Sequence, residues 1–132
     1  MAPMTARQKI AEAGPSEVHT LDPAKAARFG ARTMLIPSPG QVRDAIWTIP
    51  HGERKTVLEL RQEMAEASGA EVTCPRATTL AWFLVAEAAE EERAAGASEV
   101  TPWWRVTRDG RPDPRLPGGA ARHRELWESE GT

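Results

Sequence analysis

No tyrosine occurs anywhere in this chain of 132 residues, and there are only two phenylalanines, three histidines and one cysteine. A single thiol, Cys74, excludes an internal disulfide and suits a reducing compartment, so a cytoplasmic location is expected. His19, His51 and His123 are scattered, and with one cysteine they form no spacing of a structural zinc site; neither a metal nor a cofactor is expected. No apolar run approaches the ~20 residues of a membrane-spanning helix. The opening MAPMTARQKI has no apolar stretch of a secretion signal, so no membrane role is expected. No paired carboxylates, nucleophile triad or phosphate-cradling loop is visible, which leaves an enzyme with little support. The net charge of -2 gives the whole chain little attraction for a polyanion.

What is present suits one domain with a modest core plus a tail: 40% hydrophobic residues and a mean hydropathy of -0.50. The charge is unevenly spread. Between Arg105 and Arg124 there are six arginines against Asp109 and Asp113, whereas Glu87 to Glu99 holds five glutamates and one arginine. Such segregation permits a cationic face of the kind a modest nucleic-acid binder needs; two ordinary solvated surfaces are the alternative.

Residues 1–33 are alanine-rich and broken by Gly14, Pro15, Pro23 and Gly30. They read as an extension, partly helical (about 5–13 and 22–29) or disordered, ahead of a domain over 34–132. From Met34 the signals sharpen. Ser38-Pro39-Gly40-Gln41 supplies a capping serine and a first-position proline, and Val42, Ala45, Ile46 and Ile49 follow at helical spacing, which predicts a helix over 39–48. Thr56 and Glu59 make a second capping box, opening a helix that runs to Gly69. A third helix starts at Thr73-Cys74-Pro75 and extends to about Ala95, with Leu80, Phe83, Leu84 and Ala88 as its inner side. Cys74 reads either as a small buried residue at a helix start or as a thiol whose pKa the helix dipole lowers. Two capped helices and a longer third fit a helix-turn-helix domain, and a plain helical bundle has the same periodicity. Val100 to Arg108 alternates and predicts a strand, Asp109-Gly110 a tight turn, and 121–127 a last helix anchored by Leu126 and Trp127. The fold class expected is α+β, mostly α, winged-helix-like, with a small β element and a C-terminal helix.

The most informative run is Pro102-Trp103-Trp104-Arg105-Val106. In a strand, neighbouring side chains face opposite ways, so one indole would pack inward and the other line a cleft. The run belongs to a series of landmarks: Gln41-Val42, Ile49-Pro50-His51-Gly52, Thr56, the Trp-Trp-Arg run, Asp109-Gly110, Gly118-Gly119, and Leu126 with Glu130-Gly131. Over about residues 35–131 this series resembles the C-terminal DNA-binding domain of the alkylguanine-DNA alkyltransferases and their cysteine-less relatives, the alkyltransferase-like proteins. That family has Pro-Cys-His-Arg-Val where this chain has Pro-Trp-Trp-Arg-Val.

The resemblance implies a bacterial, non-enzymatic DNA-binding protein, since the acceptor cysteine position is Trp103 and the neighbouring histidine position Trp104. An indole is neither a nucleophile nor a proton shuttle. Trp103 and Trp104, supported by Arg105, would wall a base pocket, or would simply fill the volume of a lost one. Arg76, Thr78 and Thr79 would meet DNA at the third helix, and Arg108 and Arg111 would touch phosphates. Glu130 keeps its place but, without the thiol and imidazole, reads as a surface or capping residue. The partner implied is double-stranded DNA, with alkylated guanine as the candidate lesion and a repair or regulatory protein downstream, and the chain is expected to be a monomer. The family's base-rotating tyrosine is replaced by Val57. The alternative is a protein-interaction or regulatory module that kept the fold without binding lesions; a small transcription regulator is a third reading.

Overall fold

The computed structural model describes residues 3–131. Its architecture is α+β and mostly α: helices α1 (Ala6–Glu12), α2 (Pro23–Phe29), α3 (Pro39–Trp47), α4 (Val57–Ser68), α5 (Pro75–Ala94) and α6 (Gly119–Glu128). Short strands β1 (Glu17–Thr20), β2 (Thr33–Ile36), β3 (Lys55–Thr56), β4 (Val72–Thr73) and β5 (Val106–Thr107) lie between them. β2 is the centre of one small sheet, antiparallel to β1 and parallel to β4; β3 and β5 form a parallel pair.

The helix starts follow local chemistry. Ser38 Oγ accepts the Gln41 N–H at 3.1 Å and Thr56 Oγ1 that of Glu59 at 3.1 Å, each satisfying an end amide that has no partner within its helix. Asp22 does the same for α2, with Pro23 at the first helical position. The Gly118-Gly119 pair opens α6 with φ of 82° and 74°, and a Cβ on Gly118 would come within 2.5 Å of Arg122 Cβ. Glycine is needed there for both conformation and space.

The core forms where α3, α4 and α5 meet: Val42 and Ile46, Leu60 and Met64, then Trp82, Val85 and Ala89. Here α5 differs from the expected face. Its buried side is Thr78, Ala81, Trp82, Val85, Ala86, Ala88 and Ala89, whereas Leu80 is 55% exposed and Phe83 and Leu84 are half-buried. Apolar residues occur all round this helix, so periodicity leaves its rotation open. The bulk of Trp82 decides it, with the indole N–H donating to the Trp103 carbonyl at 3.1 Å.

The N-terminal segment carries a strand as well as its two helices. β1 is exposed along its whole length and pairs antiparallel with β2. α1 lies against α5, where the Glu91 carboxylate accepts the backbone N–H groups of Ala6 (2.8 Å) and Arg7 (3.1 Å).

Candidate functional site

The Trp-Trp-Arg run is not a strand. Trp103–Arg105 form one 3₁₀ turn, and extended pairing begins only at Val106. The carbonyls that a ladder would use are taken by side chains: Trp103 O accepts from Trp82, and Trp104 O from the indole of Trp127 and the ring of His123. Successive side chains on a 3₁₀ turn diverge by about 120° rather than 180°, so both indoles can turn inward. Trp103 is fully enclosed; its N–H donates to Glu90 at 3.1 Å, and its ring meets Trp104 edge-on at 5.9 Å. The expectation that both indoles wall a pocket is corrected for Trp103, which is core. Trp104 is 9% exposed and retains an edge on a cleft.

Glu130 has become a structural hub, contrary to its reading as a surface or capping residue. Its carboxylate accepts the Gly52 N–H at 3.0 Å, the Trp104 indole N–H at 3.0 Å, and Arg105 Nε and Nη2 at 3.0 and 2.8 Å. Arg105 also donates to the Ile49 carbonyl at 2.8 Å. The Ile49–Gly52 turn, the Trp-Trp-Arg turn and the Glu130-Gly131 end therefore meet on one carboxylate. Burial pushes this carboxyl up, yet Arg105, the Gly52 N–H and Trp104 outweigh it and hold its pKa below the ordinary value.

Behind the turn lies His123, fully buried. The Asp113 N–H donates to its Nδ1 at 3.1 Å, so the proton sits on Nε2, which donates to Trp104 O at 3.0 Å. Burial is the main reason its pKa is lowered, which favours the neutral ring. Below about pH 6.5 the unfolded chain gains a proton at this histidine that the folded chain resists, so stability from this group is full above that pH and declines below it. The urea midpoint is expected to fall from about pH 7.5 to about pH 5.5. His123→Gln should be less stable at the higher pH and show a flatter profile across that range; an equal slope in both proteins would refute the assignment.

A cleft of about 300 Å³ opens beside Trp104, lined also by Trp47, His51, Arg93, Arg105 and Glu130. Trp47 is 46% exposed, with its indole N–H on Thr101 Oγ1 at 3.0 Å. Arg93 stands 5.7 Å from the Trp104 ring centre. Trp47, His51 and Arg93 were not among the expected site residues. The one sequence signal was a large aromatic at the end of a capped helix, Trp47, and that signal does not specify what it faces.

The other expected contacts divide. Thr78 is fully buried and its hydroxyl donates to Cys74 O at 2.8 Å, so its expected DNA contact is corrected: it is an internal link of α5. Arg76 is exposed and Thr79 half-buried at the opening of α5. Seventeen residues separate Arg76 from Arg93, about 25 Å of helix, so the start of α5 and the Trp104 cleft are at opposite ends. Arg108 is exposed; Arg111 is exposed but paired with Asp109 at 2.9 Å. Arg105 is bound to Glu130, and its side chain is only 12% exposed. Cys74 accepts the Ala77 N–H at 3.5 Å and caps α5.

The arginine-rich stretch does not build a free cationic face. Arg105, Arg111, Arg115 and Arg122 are paired with Glu130, Asp109, Asp113 and Glu125. The acidic stretch is similarly engaged, Glu90 by Arg93 and Glu91 by Arg7. No group of three or more His, Cys, Asp or Glu side chains placed to hold a metal occurs among the described residues, and none of the described helices is long and apolar enough to cross a membrane. No protein-family model, curated protein or solved structure matches this chain.

Proposed function

We propose that this chain is a non-enzymatic DNA-binding protein of the alkyltransferase-like type, with a helix-turn-helix of α4 and α5 in a winged-helix-like frame. It would take an altered guanine out of the duplex and hold it at the Trp104 cleft. The observation that carries the reading is the meeting of three separated landmarks on Glu130, beside an indole-walled cleft that holds no thiol. Flipping a base costs a few kcal/mol, and stacking on an aromatic wall returns roughly 1–3 kcal/mol. Trp104 offers the inner wall and the exposed indole of Trp47 the outer one. Arg108, exposed and outside any ion pair among the described residues, is suited to a backbone phosphate.

Electrophoretic shift assays on duplexes with and without O-alkylguanine test this. Preferential retardation of the alkylated duplex is expected, weakened about tenfold in Trp47→Ala. Equal and negligible binding at low salt would refute it. A second reading, a protein-interaction module, is favoured by the internal pairing of the arginine-rich stretch. It predicts very weak retention on heparin together with a stoichiometric protein partner.

A further inference from the structure

Several of the cations that the fold leaves without a carboxylate lie around the opening end of α5. Among the described residues Lys25 and Arg28 of α2, Arg61 of α4 and Arg76 of α5 make no ion pair. Two clefts lie between these elements and share Phe29 and Pro75 as a common wall. The larger, about 500 Å³, has Lys25, Arg28 and Arg76 in its lining over the apolar side chains of Leu21, Phe29 and Ile36. The smaller, about 270 Å³, is lined by Arg61 and the half-exposed Leu58. Glu71 alone brings a carboxylate to either lining, and Arg32 holds it at 3.4 Å.

Arg61 adds an independent sign. Its Nε is buried, and no acceptor among the described residues reaches it. A buried N–H without an acceptor is unfavourable, and the half-buried Arg61 side chain borders the smaller cleft.

The ligand is defined by this combination. Four cations spread over two adjoining clefts suit successive anions rather than one. The apolar floor suits a flat, uncharged body between them; Phe29 lines both clefts, and the Arg28 guanidinium lies over one face of its ring, 5.1 Å from the centre. A polynucleotide strand alternates phosphates and bases in this way. A duplex presents a base to a concave floor only at the cost of flipping it from the stack, whereas a single strand does so without that cost, and an acidic peptide has no flat ring between its charges. We propose that the paired clefts between α2, α4 and the start of α5 bind a single-stranded nucleic-acid segment, its phosphates on Lys25, Arg28, Arg61 and Arg76 and a base against Phe29. This site is independent of the Trp104 cleft and does not rest on lesion recognition.

Fluorescence anisotropy of labelled oligothymidylate with the full chain tests it. Binding at low salt that weakens steeply as salt rises is expected, with affinity reduced about tenfold or more by Lys25→Glu combined with Arg28→Glu. Both residues are exposed, so the variant should keep the parent's thermal midpoint. Arg124→Glu, an exposed reversal on α6, should leave binding unchanged. No binding at low salt, equal loss in Arg124→Glu, or displacement by duplex or polyglutamate as readily as by unlabelled strand overturns the proposal. Loss of lesion preference in Trp47→Ala with oligothymidylate binding intact would separate the two sites.

Discussion

Glu130→Ala is expected to lower the unfolding free energy by about 3–5 kcal/mol, read as a shift of the urea midpoint, because it leaves a buried guanidinium without its counter-charge. The Arg105 side chain is 12% exposed and that of Glu130 8%, so water cannot readily replace either partner. The same change orphans the Gly52 N–H and the Trp104 indole N–H. Glu130→Gln should fall between the two proteins, since an amide oxygen can still accept one of these donors but brings no charge to Arg105. Combining Glu130→Leu with Arg105→Met removes both charges and should be less damaging than Glu130→Ala alone. If Glu130→Ala shifts the midpoint no more than an exposed substitution such as Glu128→Ala, the hub assignment fails. Because the carboxyl is held below its ordinary pKa, its contribution is present above about pH 4.5 and is lost as the pH falls through the lower folded value.

Trp103→Ala is expected to be comparably severe, about 3–5 kcal/mol, as a large-to-small change at a fully buried position. The void would lie among Trp104, His123 and α5, which hold the ring on several sides. Trp103→Phe keeps most of the volume and removes the N–H to Glu90; a loss of about 1 kcal/mol is expected, since Glu90 also accepts from Arg93. The pair of variants separates core from pocket. If Trp103 instead walled a ligand site, Trp103→Ala would retain stability and lose binding. That outcome, measured by denaturation and by the duplex shift assay, would overturn its placement here.

Helix starts were legible in the sequence because capping acts over three residues: Asp22, Ser38 and Thr56 open α2, α3 and α4 where their hydroxyl or carboxylate accepts a nearby N–H. Leu126 and Trp127 were legible as anchors of α6 and are buried. The strand β1 was not, because Glu17–Thr20 has no buried face and exists only by pairing with β2. The expected strand over 100–108 shrank to two residues because Trp82, His123 and Trp127, all distant in sequence, claim the carbonyls of the preceding turn.

By itself the sequence determined the mostly helical α+β class, the helix caps and the absence of a cysteine at the Trp-Trp-Arg run. All of these depend on the residue or its near neighbours. The tertiary structure alone decided which indole is core and which borders a cleft, and that Glu130 ties three remote segments together. The Trp103 contacts reach 13 and 21 positions along the chain, and those of Glu130 reach 25 to 78. Charge and burial at such positions follow from packing, and no local pattern encodes them.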